Sequence, residues 1–189
     1  MRQIIIILFL IFISCKNIPK TEIEKETSDA TENNVDKSVI AMWNNYIEAN
    51  PEFKNEEIPA SDFFHNNKED ADRLAELTVN GKKKASSGLY SLYTQYNVDL
   101  PKVGNKQIVT DFSGKAKAII KTTYVDTIPF DKVSKDYAQL DMATNINPLE
   151  KWKKAHWEFF ASFMEKNGNK PSKEMLIVCE KFETIWTTK

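Results

Sequence analysis

Cysteine and histidine are scarce in this chain, two of each in 189 residues, and glycine occurs five times. Two cysteines give no disulfide framework, so stability has to come from a packed core. His65 lies in a polar loop, His156 lies on an aromatic helix face, and no further His or Cys stands at ligand spacing. A zinc site is therefore not expected, and no cofactor is implied. There is no GxSxG elbow, no P-loop and no dinucleotide fingerprint. An excess of one charge is missing too: 26 Lys and Arg face 27 Asp and Glu, for a formal net charge of −1. A dedicated duplex-DNA binder carries a marked basic excess, and that class is excluded, although a local basic groove stays possible.

The one long apolar run stands at the start, in "MRQIIIILFLIFISCKN". Ile4 to Ile13 is too short for a comfortable bilayer span, and it follows a positive Arg2, as in a secretory signal. Ser14-Cys15 then has the form of a bacterial lipoprotein cleavage site. Residues 1–14 are expected to be the signal peptide, and Cys15 the lipidated residue that holds the chain at the membrane. The expected location is outside the cytoplasm, on a bacterial membrane with the periplasmic side favoured. Residues 15–36 contain no aromatic side chain, are rich in Glu, Thr, Asn and Asp, and form a tether.

From Lys37 onward the pattern is that of one domain, 37–189, long enough for a single core. Val39, Ile40, Trp43 and Ile47 predict a helix over 37–49, ended before Pro51. A second helix fits Lys68 to Val79, with Gly81 just past its end. Leu89–Tyr96 is ambiguous, with a short helix as one reading. Gln107–Phe112 and Ala116–Ile128 are rich in β-branched residues and flank Ser113-Gly114, a hairpin signal. "PFDKV" starts a short helix, a long one runs from Pro148 to Lys166, and Met175–Trp186 is a strand. Helices on an antiparallel sheet give an α+β class, with closure into a small barrel as an option. Trp152, His156, Phe159 and Phe163 share one face of the long helix, a pattern that core packing also explains.

The segment Asn80–Gly88, "NGKKKASSG", sets three lysines between two glycines. After a helix end such lysines favour the negative pole and are usually solvated. In the sharper reading Gly81 turns the chain, Ala85 and Ser86 open a strand, and Lys83 approaches the Ser86 hydroxyl as a base. An anion-holding cluster is equally compatible.

"DADRLAELTVNGKKKASS", "KVGNKQIVTDFSGKAKAIIKTTYVDTIPFDKV", "LEKWKKAHWEFF" and "MLIVCEKFE" together resemble the ASCH domain, in its bacterial branch with a W-x-x-x-H helix. The resemblance spans nearly everything from Lys37 on. It implies a PUA-like fold: a small β-barrel, surrounding helices, and a cleft where the glycine-lysine segment meets the barrel. It also implies binding of RNA or, in some small members, hydrolysis of the acyl amide of N4-acylated cytidines. Carried over by position, Gly81, Lys83, Ser86, Trp152 and His156 would line the cleft. Lys83, Ser86 and a carboxylate would be catalytic. Asp141 stands near the acid's expected place, in a segment where Ala143 and Thr144 replace the usual Glu and Gly. Glu180 is the alternative acid, its plainer role being a solvent-facing strand residue. Lys82 and Lys84 are expected to face water, and Cys179 to be a small buried apolar residue.

Three functions follow. A binding module would take a nucleoside, a nucleotide or single-stranded RNA; near-neutral charge favours the small ligand. An amidohydrolase would use Lys83 and Ser86. A structural or partner-binding lipoprotein would have its cleft filled by its own side chains.

Overall fold

Asp36 opens helix α1, Lys37–Ala49: its carboxylate accepts from Ser38 N at 2.8 Å and caps the first turn. The computed structural model describes residues 35–187, so the expected signal peptide, Cys15 and nearly all of the tether lie outside the described residues. The remaining helices are α2 (Lys68–Val79), α3 (Tyr90–Tyr96), α4 (Lys135–Met142) and α5 (Pro148–Lys166). The strands are β1 (Ser61–Asp62), β2 (Ala85–Leu89), β3 (Lys106–Thr110), β4 (Ala116–Pro129) and β5 (Leu176–Thr187).

The strands form one mixed sheet in the order β1-β3-β4-β5-β2, with only β1–β3 parallel. β4 and β5 pair along almost their whole lengths. Register shifts at Ile119/Ile120 and Thr122/Tyr124 interrupt that ladder, and bulges of this kind bend a strand and increase its twist. The result is the α+β, barrel-like architecture expected of the ASCH fold, without a β1–β2 ladder to seal it.

Three apolar clusters hold the layers together. α1 places Val39, Met42, Trp43 and Tyr46 on Ile108 and Ile119. α4 and α5 place Tyr137, Ala138, Trp152 and Phe160 on Ala85, Leu89, Ile177 and Cys179. α2 covers the remaining sheet face, where Ala75 meets Val109, Ile120 and Phe182. Alternation along β2 therefore has two destinations: Ala85, Ser87 and Leu89 face the α4–α5 layer, and Ser86 and Gly88 face the interior of the curved sheet.

α4 is the element that periodicity missed. In "KDYAQLDM" the side chain one turn after Tyr137 is Asp141, an acid in a core position. Ser134 caps this helix by accepting from Tyr137 N at 3.1 Å. Ala143 ends it with φ +50°.

Candidate ligand cleft

Only the middle lysine of the cluster is buried. Gly81, at φ +63°, turns the chain off the end of α2 by donating to the Thr78 carbonyl, while Lys82 and Lys83 both donate to the Leu77 carbonyl. Lys82 and Lys84 face solvent as expected, and Lys83 is 4% exposed. Gly81 itself lies on the α1 side of the molecule, beside Thr184–Trp186, outside the cleft it was expected to line.

The carboxylate that meets Lys83 is Asp141, 2% exposed. Lys83 Nζ donates to Asp141 Oδ1 at 2.5 Å and to its carbonyl at 3.0 Å. The other oxygen, Oδ2, accepts from Ser87 Oγ (2.6 Å) and Trp152 Nε1 (2.9 Å), with His156 Nε2 3.4 Å away. Burial alone would raise the Asp141 carboxyl, but the Lys83 ammonium, His156 and the donated hydrogen bonds outweigh it and hold it below the usual range. Burial pushes His156 down, against the pull of Asp141. His156 Nδ1 donates to the Trp152 carbonyl at 3.0 Å, and its ring stacks on the indole at 4.4 Å.

The assignments divide accordingly. Lys83, Asp141 and His156 line one cavity of about 170 Å3, joined there by Ser86 and Ser87. Trp152 is fully buried behind it and positions Asp141 through its indole N–H, so it makes no cleft wall. The hydroxyl on the carboxylate is that of Ser87, not Ser86. Ser86 offers its carbonyl to Tyr137 Oη at 2.5 Å, and its own hydroxyl has no hydrogen-bond partner among the described residues. The arrangement with Lys83 as base to Ser86 is therefore not assembled; Lys83 is engaged by Asp141.

Glu180 is not the solvent-facing strand residue of its plainer reading. It is the cross-strand partner of Ser86 and faces a second cavity of about 240 Å3, which shares Phe64, His65, Ser86 and Ser87 with the first. Thr122 Oγ1 donates to its Oε1 at 2.5 Å. Burial pushes its carboxyl above the usual range, a rise that the Thr122 hydrogen bond partly offsets.

The sequence reading also passed over the outer wall. Phe64, His65, Arg73 and Phe159 surround the first cavity. Lys83 Nζ lies 5.0 Å from the Phe64 ring centroid, and His65 packs on Phe159 with centroids 5.1 Å apart. Arg73 is bonded to Asp70 at 2.7 Å. His65 stands at φ +68°, a left-handed conformation uncommon outside glycine and asparagine and concentrated at functional loops. A signal for Ser87 did exist, in the alternation Ala85-Ser87-Leu89, which sets its hydroxyl among apolar neighbours.

A buried ion pair, Lys83–Asp141, thus opens on a cavity between β2, α4 and α5. The ASCH domain family model matches residues 60–186. The chain belongs to the ASCH-domain family. A crystal structure of an Enterococcus faecalis V583 protein is similar to it at 30% identity and TM-score 0.71, over 79% of this chain and 88% of that one. A crystal structure of an ASCH domain from Lactobacillus crispatus JV V101 is similar at 27% identity and TM-score 0.74, over 81% of this chain and 97% of that one. No curated protein matches the chain.

Proposed function

We propose that this ASCH protein binds a nucleoside or nucleotide in the cleft between β2, α4 and α5. The observation that carries the reading is the Lys83–Asp141 pair, buried yet lining an open cavity walled by Phe64, His65 and Phe159. Buried charge is costly unless paired and hydrogen-bonded. Here every polar atom of the carboxylate is satisfied, and the remaining Lys83 proton and the aromatic rings are available to a ligand. A flat ring stacking on aromatic side chains gains about 1–3 kcal/mol per base. Arg73 at the rim supplies a guanidinium for a sugar hydroxyl or phosphate. The open cavity counts against the lipoprotein whose cleft is filled by its own side chains. Near-neutral net charge favours a small ligand over a long polyanion.

The test follows the melting temperature of the purified protein and of its Lys83→Ala variant with cytidine, uridine, their monophosphates, N4-acetylcytidine and a short single-stranded RNA. A stabilisation by nucleosides or nucleotides that is lost in the variant supports the reading. Stabilisation by RNA alone would transfer the site to a single strand, and silence toward all of them would end the proposal.

Amide hydrolysis is the second reading, favoured by one observation: the Ser86 hydroxyl lines both cavities without a partner among the described residues. The Ser86 hydroxyl would then attack the carbonyl carbon while Lys83, held by Asp141, stabilises the developing oxyanion. The C–N bond would break with the Ser86 proton passing to the leaving N4, and water would hydrolyse the acyl-Ser86 ester to the free acid. Cytidine released from N4-acetylcytidine by the protein, and abolished in Ser86→Ala, would establish it. We further infer from the N-terminal motif that the domain is tethered through lipidated Cys15 outside the cytoplasm.

A further inference from the structure

The second cavity lies inside the curved sheet and has its own chemistry. Strands β2, β3, β4 and β5 contribute Ser86, Gln107, Ile120 and Glu180, and α3 contributes Tyr93. The loop after β1 brings Phe64 and His65 to the wall it shares with the Lys83 cavity. Its volume of about 240 Å3 is below the ~300–1,000 Å3 of clefts for larger ligands, which suits a single ring.

Four polar groups converge there without partners. Among the described residues, neither the Gln107 amide nor the Tyr93 hydroxyl, the Ser86 hydroxyl or Glu180 Oε2 has a hydrogen bond within the chain, while Glu180 Oε1 is held by Thr122. Buried polar side chains normally find partners, and no sealed side-chain nitrogen or oxygen is left unpaired among the described residues. These four groups are therefore open to the cavity. Gly88 has a specific part in this arrangement. A Cβ on Gly88 would come within 2.6 Å of the Tyr93 hydroxyl oxygen, so the absent side chain lets the phenol lie across β2 and reach the cavity.

We propose that this inner cavity is a subsite for the edge of a neutral planar heterocycle presenting one hydrogen-bond donor beside one acceptor, read by Glu180 and Gln107. A primary amide and a carboxyl in its protonated form each set one donor beside one acceptor, which matches a lactam or amidine edge. Burial of Glu180 favours its protonated form. Val178 and Ile120 give the ring an apolar floor, and Ser86 stands at the junction with the Lys83 cavity. The inference rests on the nucleoside reading of the shared cleft and names the part of the ligand that this second cavity would hold.

The experiment measures binding of 1-methyluracil, 1-methylcytosine and 1,3-dimethyluracil by ligand-observed NMR, using wild type, Glu180→Leu, Gln107→Leu, Glu180→Gln and Tyr93→Phe. The first two probes keep the donor–acceptor edge and are expected to bind; the dimethylated ring lacks the N–H and should bind at least about tenfold more weakly. Glu180→Leu and Gln107→Leu should each lose roughly tenfold or more. Glu180→Gln preserves the donor and the acceptor, and should stay within about threefold of wild type. Should the leucine variants not fold, Tyr93→Phe removes one hydroxyl and keeps the ring, with a loss of several-fold expected. Equal binding of the dimethylated ring, loss of binding in Glu180→Gln, or no probe bound at all overturns the subsite. Nucleosides that bind in a Lys83-dependent way, with base preference unchanged in Glu180→Leu, sink the subsite alone. Free heterocycles that bind while nucleosides do not would leave the subsite standing and remove the Lys83 reading.

Discussion

Asp141 carries the heaviest electrostatic duty of any single residue described here, because Lys83, Ser87, Trp152 and His156 all converge on it. Replacing it by Asn leaves the Lys83 ammonium buried without its counter-charge. Breaking a buried pair in this way costs about 3–5 kcal/mol, to be read from urea unfolding at neutral pH. Since its carboxyl is depressed in the folded state, Asp141 adds stability above its unfolded value, near 3.8, that is lost as pH falls through the folded one. Glu180 has the opposite sign. Its folded value is raised, so its contribution is full below the unfolded value, near 4.5, and is lost as pH rises through the folded one. Unfolding from pH 4 to pH 8 should thus show Glu180→Gln gaining on wild type as pH rises. A constant difference across that range would contradict the assignment.

At the scale of elements, legibility tracked the kind of residue that each element hides. α1, α2 and α5 repeat apolar residues at helical spacing, and the sequence reading located them at Lys37–Ala49, Lys68–Val79 and Pro148–Lys166. β3 and β4 announced themselves by β-branched residues around a turn. β2 is "ASSGL", too small and polar to read as a strand with confidence from composition, because its pairing with β5 supplies what its own residues lack. α4 was missed because its inward face is Tyr137, Ala138 and an aspartate, and its burial depends on Lys83, more than fifty positions away. The cleft followed the same rule. Family motifs led to Lys83, Asp141 and His156, and the alternation along β2 marks Ser87, but Arg73 and the Phe64–His65 loop carry no spacing signal, since three-dimensional proximity alone brings them in. Two element-scale predictions follow from the ends of α4. Ser134→Ala removes its N-cap and should cost about 0.5–2 kcal/mol. Ala143 holds a left-handed conformation, so Ala143→Gly should raise the melting temperature, by a relief on the order of 1 kcal/mol.

For the whole molecule, the expectation that remains to be checked is the tether. A lipidated Cys15 predicts palmitate labelling and partition of the full-length chain into the membrane fraction, both abolished by Cys15→Ala. A soluble, unlabelled wild-type chain would remove the tether and leave the domain's cleft chemistry untouched.

The sheet order has a consequence in time. β2 hydrogen-bonds β5 and no other strand, and β5 also completes the ladder of β4. A ribosome moving at ~5–20 residues per second takes on the order of ten seconds to travel from Leu89 to Leu176. Throughout that interval β2 has no neighbour, and once Pro129 is made β4 shows a bare edge where β5 will dock. Any fragment ending before Leu176 keeps both edges open for good, with Glu180 absent and Ser86 facing nothing. Such edges recruit other chains. Partial synthesis should therefore yield aggregating product rather than a smaller working domain.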